Sequence, residues 1–187
     1  AGPSLYKVAS KTNKDWTYRW IMEPRAFRHN TWMPHFFKKG NNSSPEDLIR
    51  TEQETLAMTE YLFAKSTDYN MQKNSLSGDP ANGELLVSAL GCLGCHQIQP
   101  EPDPDYEPSL QNLRLEQGPN LIGVGSKTDR TWLFNWLKNP YTYHSGTKMP
   151  NLRLTDQEAS DIASYLLLNK NDKFDATPVP SVNQEVL

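Results

Sequence analysis

Apolar positions in this chain recur at helical spacing. Met58, Tyr61 and Leu62 fall at i, i+3 and i+4 on one face, and Ile162, Tyr165 and Leu166 do the same farther along. Each run is preceded by a Thr-x-x-Glu capping box, Thr51 to Glu54 and Thr155 to Glu158, so each predicts an amphipathic helix. A further helix is predicted from Asp79 to Gly91, with Asp79 as cap, Pro80 in the first turn, and Leu85, Leu86 and Ala89 inside it. Trp132 and Trp136 share the face of a short helix that Pro140 stops. No segment combines strict alternation with the β-branched residues of a strand. The pattern predicts an all-α chain of helices and loops.

The same pattern occurs twice. Residues Gly2 to Pro34 align without a gap on Gly118 to Pro150, at an offset of 116, with 13 of 33 positions identical. The pairs include Gly2/Gly118, Pro3/Pro119, Leu5/Leu121, Trp16/Trp132, Trp20/Trp136, Pro24/Pro140, Thr31/Thr147 and Met33/Met149. After an insertion at Lys38 to Arg50, which reads as a surface loop, the match resumes with Thr51-Glu52-Gln53-Glu54 answering Thr155-Asp156-Gln157-Glu158. Four segments are expected: a first module over 1–66, a polar linker over 67–78, a second module over 79–169, and an extended tail over 170–187.

Composition narrows the partners. With 187 residues and 36% of them apolar, the chain can build one ordinary core or two small ones. A net charge of −3 and the lack of any Lys/Arg run exclude a phosphate-tracking surface, so no nucleic-acid partner is expected. No stretch approaches the roughly 20 apolar residues of a membrane span, and membrane association is expected only through a complex. Any export signal is expected to have been removed or to lie outside this sequence.

The chain's two cysteines both lie in Cys92-Leu93-Gly94-Cys95-His96, a spacing that fits three chemistries. A zinc site wants four ligands, but adjacent Cys95 and His96 do not easily take two corners of a tetrahedron, and there is no second cysteine pair. A thioredoxin-like redox pair needs a preceding strand, whereas here a helix runs into the motif. Haem attachment fits: two thiols add to the two vinyl groups of one porphyrin edge, and the next residue presents an imidazole to the iron. A sixth ligand is then required downstream. Met149, in Gly146-Thr147-Lys148-Met149-Pro150, is the candidate, with His144, His29 and His35 as rivals.

From Asp79 to Asn169 the order of these elements resembles a class I c-type cytochrome module, and the whole chain resembles a tandem, di-haem-like version whose first module lacks its CxxCH. The resemblance implies a cytochrome c-like helical fold around a covalent haem c. It implies thioether links from Cys92 and Cys95, His96 as proximal ligand and Met149 as distal ligand. By the same likeness the Pro119 carbonyl receives the His96 ring N–H, and Leu121, Trp132 and Trp136 line the haem pocket. One departure from the minimal module is the acidic, proline-rich insertion within 97–117, at Glu101 to Pro108, which reads as a solvated loop.

The first copy begins at its Gly-Pro step, with neither the opening helix nor a CxxCH, and an equivalent of Cys92 would fall before Ala1. Its closing helix then has little to bury its face against, and Trp16, Trp20, Phe27, Trp32, Phe36 and Phe37 would line an emptied pocket. The missing half is expected upstream of this sequence, on a partner chain, or lost by decay of the first copy into a scaffold; the retained Met33 favours the first two and points to a second haem ligated by Met33 and attached outside this sequence. The expected function is single-electron transfer between redox proteins of a respiratory-type chain, on the periplasmic or extracytoplasmic side of a membrane. The alternatives are a haem enzyme like the di-haem peroxidases, a gas-binding haem module, and a binding module without haem.

Overall fold

The computed structural model describes residues 4–28, 31–37, 43–100 and 117–183. Among them every regular element is helical, as the absence of alternation predicts. In chain order these are α1 (Val8–Lys11), α2 (Lys14–Met22), α3 (Pro24–Phe27), α4 (Pro45–Lys65), α5 (Pro80–Ala89), a 3-10 turn (Cys92–Gly94), α6 (Val124–Lys127), α7 (Arg130–Lys138), α8 (Pro140–Tyr143), α9 (Asp156–Leu167) and α10 (Asp172–Asp175). The chain divides into two compact units, 1–68 with 172–187, and 69–171.

In the unit 69–171, α9 packs on α5 and α7 around a core of Val87, Trp132, Leu133, Phe134, Leu137, Leu154, Ala159, Ile162, Ala163 and Leu166. The Thr155/Glu158 box forms as the sequence predicts: the Glu158 N–H donates to Thr155 Oγ1 at 3.2 Å and the Thr155 N–H to Glu158 Oε2 at 2.8 Å. Helix α5 crosses α9 so closely that a Cβ on Gly83 would lie 2.6 Å from the Asp161 carbonyl carbon. Only glycine permits that approach. Asp161, 2% exposed, accepts from the Asp79 N–H at 2.8 Å, Asn82 Nδ2 at 2.7 Å and Gln157 Nε2 at 2.7 Å, which fixes the start of α5 on α9.

In the other unit α2 packs on α4, and a small aromatic core forms from Trp16, Phe27 and Phe174 with Trp20 against it. Four expectations are corrected here. The Thr51 box does not start the closing helix: Ser44 and Asp47 cap it, with the Asp47 N–H donating to Ser44 Oγ at 3.1 Å and the Ser44 N–H to Asp47 Oδ2 at 2.9 Å. Pro45 then sits in the first turn, so residues 45–50 of the expected loop are helix, while 38–42 lie outside the described residues. Of the six aromatics expected to line one pocket, Trp32 is 99% exposed and Phe36 73% exposed. The expected tail carries α10 and places Phe174, 3% exposed, 4.9 Å from Phe27.

Parts of the two sequence copies form matching local elements. α1, α2 and α3 map onto α6, α7 and α8 at the offset of 116. Asn13 caps α2 and Asp129 caps α7, each accepting from a Trp N–H, at 2.7 Å for Trp16 and 2.8 Å for Trp132. Trp16 stacks on Trp20 at 5.1 Å and Trp132 on Trp136 at 5.3 Å. The Met33 N–H donates to Thr31 Oγ1 at 3.2 Å, and the Met149 N–H to Thr147 Oγ1 at the same 3.2 Å.

The likeness also reaches two irregular segments. In one unit Tyr69 meets Tyr143 edge-on at 5.2 Å, the Gln72 backbone pairs with the Asn135 amide at 2.8 and 2.9 Å, and the Ser77 carbonyl accepts from Gln157 at 2.9 Å. In the other, Phe174 meets Phe27, the Thr177 carbonyl accepts from Arg19 Nε at 2.7 Å, and the Ser181 carbonyl accepts from Gln53 Nε2 at 3.1 Å. Arg19 answers Asn135, and Gln53 answers Gln157. Each unit is therefore laced by a strap running over the same three elements.

Candidate haem-attachment site

Helix α5 ends at Ala89, and Gly91 turns the chain into the motif with φ of 78°, in the left-handed region that favours glycine. The turn that follows is held by its own backbone: the Cys95 N–H donates to the Cys92 carbonyl at 3.2 Å and the His96 N–H to the same oxygen at 2.9 Å. Both thiols are free, Cys92 half-buried and Cys95 exposed, and burial pushes the Cys92 thiol above its ordinary pKa.

The Gly118 to Leu121 segment is tied alongside this turn. The Gly118 N–H donates to the Cys95 carbonyl at 2.8 Å and the Leu121 N–H to the Gln97 carbonyl at 2.7 Å. That pairing brings the Pro119 carbonyl to 2.8 Å from His96 Nδ1. The contact selects the tautomer with the proton on Nδ1, and Nε2 keeps its lone pair for a metal. A Cβ on Gly118 would overlap the imidazole, lying 2.9 Å from its Nε2, so the ring occupies a cradle that only glycine leaves open.

Cys92, Leu121, Trp136 and Met149 are partly buried against the core that contains Trp132. Trp132 and Trp136 stack at 15° between ring planes, and Tyr143 stands edge-on to both, at 5.4 and 6.0 Å. Burial, with the nearby Tyr69, pushes the Tyr143 hydroxyl up to about 12. Met149 Sδ accepts from Trp136 Nε1 at 2.9 Å. Of the rival ligands, His144 is exposed, His35 lies in the other unit, and His29 and the acidic run Glu101 to Pro108 lie outside the described residues.

Among the described residues no group of three or more His, Cys, Asp or Glu side chains converges as a metal site. The donor set does suit haem c: two free thiols at the right spacing, an imidazole oriented by a backbone carbonyl, and a thioether packed on the same core. Cys92, Cys95, His96, Pro119, Leu121, Trp132, Trp136 and Met149 all belong to the unit 69–171; Met33 belongs to the other.

Asp161 and the two straps are the structural residues that sequence reasoning missed. No motif marks them, and between the straps only the aromatic pair Tyr69/Phe174 and the serines Ser77/Ser181 match among the contacts described above.

The crystal structure of SoxXA from P. pantotrophus is similar over 57% of this chain and 96% of that chain, at 19% sequence identity and a TM-score of 0.43. No curated protein matches the chain. The family model described as Cytochrome c matches residues 80–170, a span that includes the Cys92 to His96 motif, the Gly118-Pro119 segment and Met149.

Proposed function

We propose that the unit 69–171 carries one haem c joined to Cys92 and Cys95, with His96 and Met149 as axial ligands, and that it transfers single electrons. The observation that carries this reading is the His96 to Pro119 contact at 2.8 Å, which aims Nε2 away from the backbone in a domain of cytochrome c type. An iron with both axial positions filled has no open site for a substrate, and changes little in geometry between oxidation states. Such a centre suits exchange with redox proteins, and assembly of thioether-linked haem places the protein outside the cytoplasmic membrane. Among the described residues no helix is long and apolar enough to cross a membrane.

We also propose that Met33 ligates a second haem whose CxxCH lies outside this sequence, which makes the protein a di-haem-type subunit of a respiratory-type chain. What supports it is a pattern of exposure. Met58 is 38% exposed where its counterpart Ile162 is 1% exposed beneath α5, and Leu5, the counterpart of the half-buried Leu121, is 53% exposed. Tyr61, the counterpart of Tyr165, is 63% exposed. In the other unit α5 packs on the helix that carries Ile162 and Tyr165. Ala57 stands where Asp161 anchors α5, so a helix docking on α4 would be held by apolar contacts alone.

Three measurements test these proposals. Acidified organic solvent leaves the pigment on the polypeptide if the thioether links exist, and its extraction would sink the first proposal. For Met149, the methionine-to-iron charge-transfer band near the red edge of the visible spectrum is expected in the oxidised protein and is lost in Met149→Ala; high-spin iron as isolated would favour a haem enzyme or gas-binding module instead. A haem-to-protein ratio of one, with no partner chain present, would overturn the second haem.

A further inference from the structure

We propose that Asn82-Gly83 is a modification site gated by the docking of α5. While α5 lies on α9 the pair is inert; when α5 lifts off, Asn82 deamidates to aspartate or isoaspartate, and the helix no longer redocks. The inference stands whether or not the unit carries haem.

Asn82-Gly83 is the one Asn-Gly step in the sequence. A glycine after asparagine leaves its backbone nitrogen unshielded by a Cβ, so that nitrogen can attack the asparagine side chain. Packing forbids a bulkier neighbour here, because a Cβ on Gly83 would lie 2.6 Å from the Asp161 carbonyl carbon and 2.9 Å from Tyr165 Cβ. The close crossing of α5 and α9 therefore requires the labile pair. Asn82 itself is exposed, so water reaches it.

The reaction needs only that water. The Gly83 nitrogen bonds to Asn82 Cγ and gives up its proton, the side-chain nitrogen leaves as ammonia, and a succinimide ring remains. Water then opens the ring at either carbonyl. One opening gives aspartate, and the other gives isoaspartate, whose main chain runs through the side-chain carbon.

Docking holds both reacting groups. The Gly83 N–H donates to the Asp79 carbonyl at 2.9 Å, which keeps the nucleophile in the first turn of α5. Asn82 Nδ2, the leaving group, donates to Asp161 Oδ2 at 2.7 Å. Ring closure requires Asn82 to leave the helical backbone well, and these contacts keep it there. Asp161 also accepts from the Asp79 N–H at 2.8 Å, so one carboxylate on α9 anchors the turn and the amide together. The product reverses that attraction. A carboxylate at position 82 would face Asp161, 2% exposed, where a donor had met an acceptor. Isoaspartate adds a further main-chain carbon to the first turn of α5. Either product marks a chain whose α5 has been off α9.

The test is peptide mapping by mass spectrometry of the full chain held at mildly alkaline pH, beside a synthetic peptide of residues 79–90 that sets the ungated rate. The protein is expected to convert Asn82 about tenfold or more slower than the peptide, and Asp161→Asn to speed conversion in the protein by about fivefold or more, because the rate follows the open population of α5. Equal rates in protein and peptide overturn the gate, as does a folded Asp161→Asn variant that converts no faster than the wild type. If that variant does not accumulate, low denaturant concentrations applied to the wild type decide. Conversion that rises in step with amide exchange of α5 supports the gate, and conversion that rises only with global unfolding overturns it. Asn82→Asp examines the product state: amide protection of α5 is expected to fall by about tenfold or more, and unchanged protection would show that the modified helix still docks.

Discussion

Asp161 shows how one buried carboxylate can join two helices. Burial by itself pushes its carboxyl pKa up, but hydrogen bonds from the Asp79 backbone, Asn82 and Gln157, with the charge of Arg130, bring it below its ordinary value of 3.8. A depressed folded-state pKa means that this stabilisation is complete above the unfolded value and is lost as pH falls through the lower folded one. Acid unfolding of the haem-bearing unit is therefore expected below about pH 4, and Asp161→Asn should weaken that dependence. At neutral pH the same substitution turns an acceptor toward three donors partly into a donor. It is expected to cost about 1–3 kcal/mol, read as a shift in the denaturant midpoint; an unchanged midpoint would show that water replaces the carboxylate. Neither Asp161 nor its partners form a recognisable motif, so this residue was invisible before the fold was known. His96 is the opposite case, because its role was legible from its place after Cys95.

At the scale of elements, the pairing of α5 with α9 rests on Gly83. Replacing it with Ala puts a methyl group against the Asp161 backbone and Tyr165 Cβ, the latter at 2.9 Å, and neither is a flexible side-chain tip. Gly83→Ala is expected to destabilise the unit by about 1–3 kcal/mol despite Ala's better helix propensity. A thermal melt detects this, and a stabilised variant would mean that the helices can separate slightly without loss. Helix α4 teaches a different lesson about capping. Two capping boxes compete in its sequence, and Ser44-Pro45-Glu46-Asp47 prevails over Thr51 to Glu54 because it adds a proline at the first helical position and two further turns. Ser44→Ala is expected to cost about 1 kcal/mol and to fray the start of α4, visible as faster amide exchange there. Thr51→Ala should leave that exchange unchanged.

For the whole molecule, the segment 172–183 is the least expected part of the fold. Phe174 completes the aromatic core of the unit built from 1–68, in the position that Tyr69 takes in the other unit. Phe174→Ala is expected to lower the stability of that unit by about 3 kcal/mol while leaving the haem spectrum of the other unit intact. Two separate transitions in a melt followed by Trp fluorescence and by Soret absorption would show this, and a coincident loss of both signals would count against two independent units.

The amino-acid order by itself determined the helical class, the internal sequence repeat, the Asp79-Pro80 start of α5 and the Thr155/Glu158 box that opens α9. These are local facts, carried by side-chain types a few residues apart and by a repeat with identical spacing. Tertiary structure alone decided which box caps α4, that Asp161 anchors α5, that Trp136 reaches Met149, and that two dissimilar straps run over equivalent surfaces. The straps bind largely through backbone groups to Arg19, Gln53, Asn135 and Gln157. Every residue offers the same carbonyl, so such contacts leave almost no trace in the sequence that makes them.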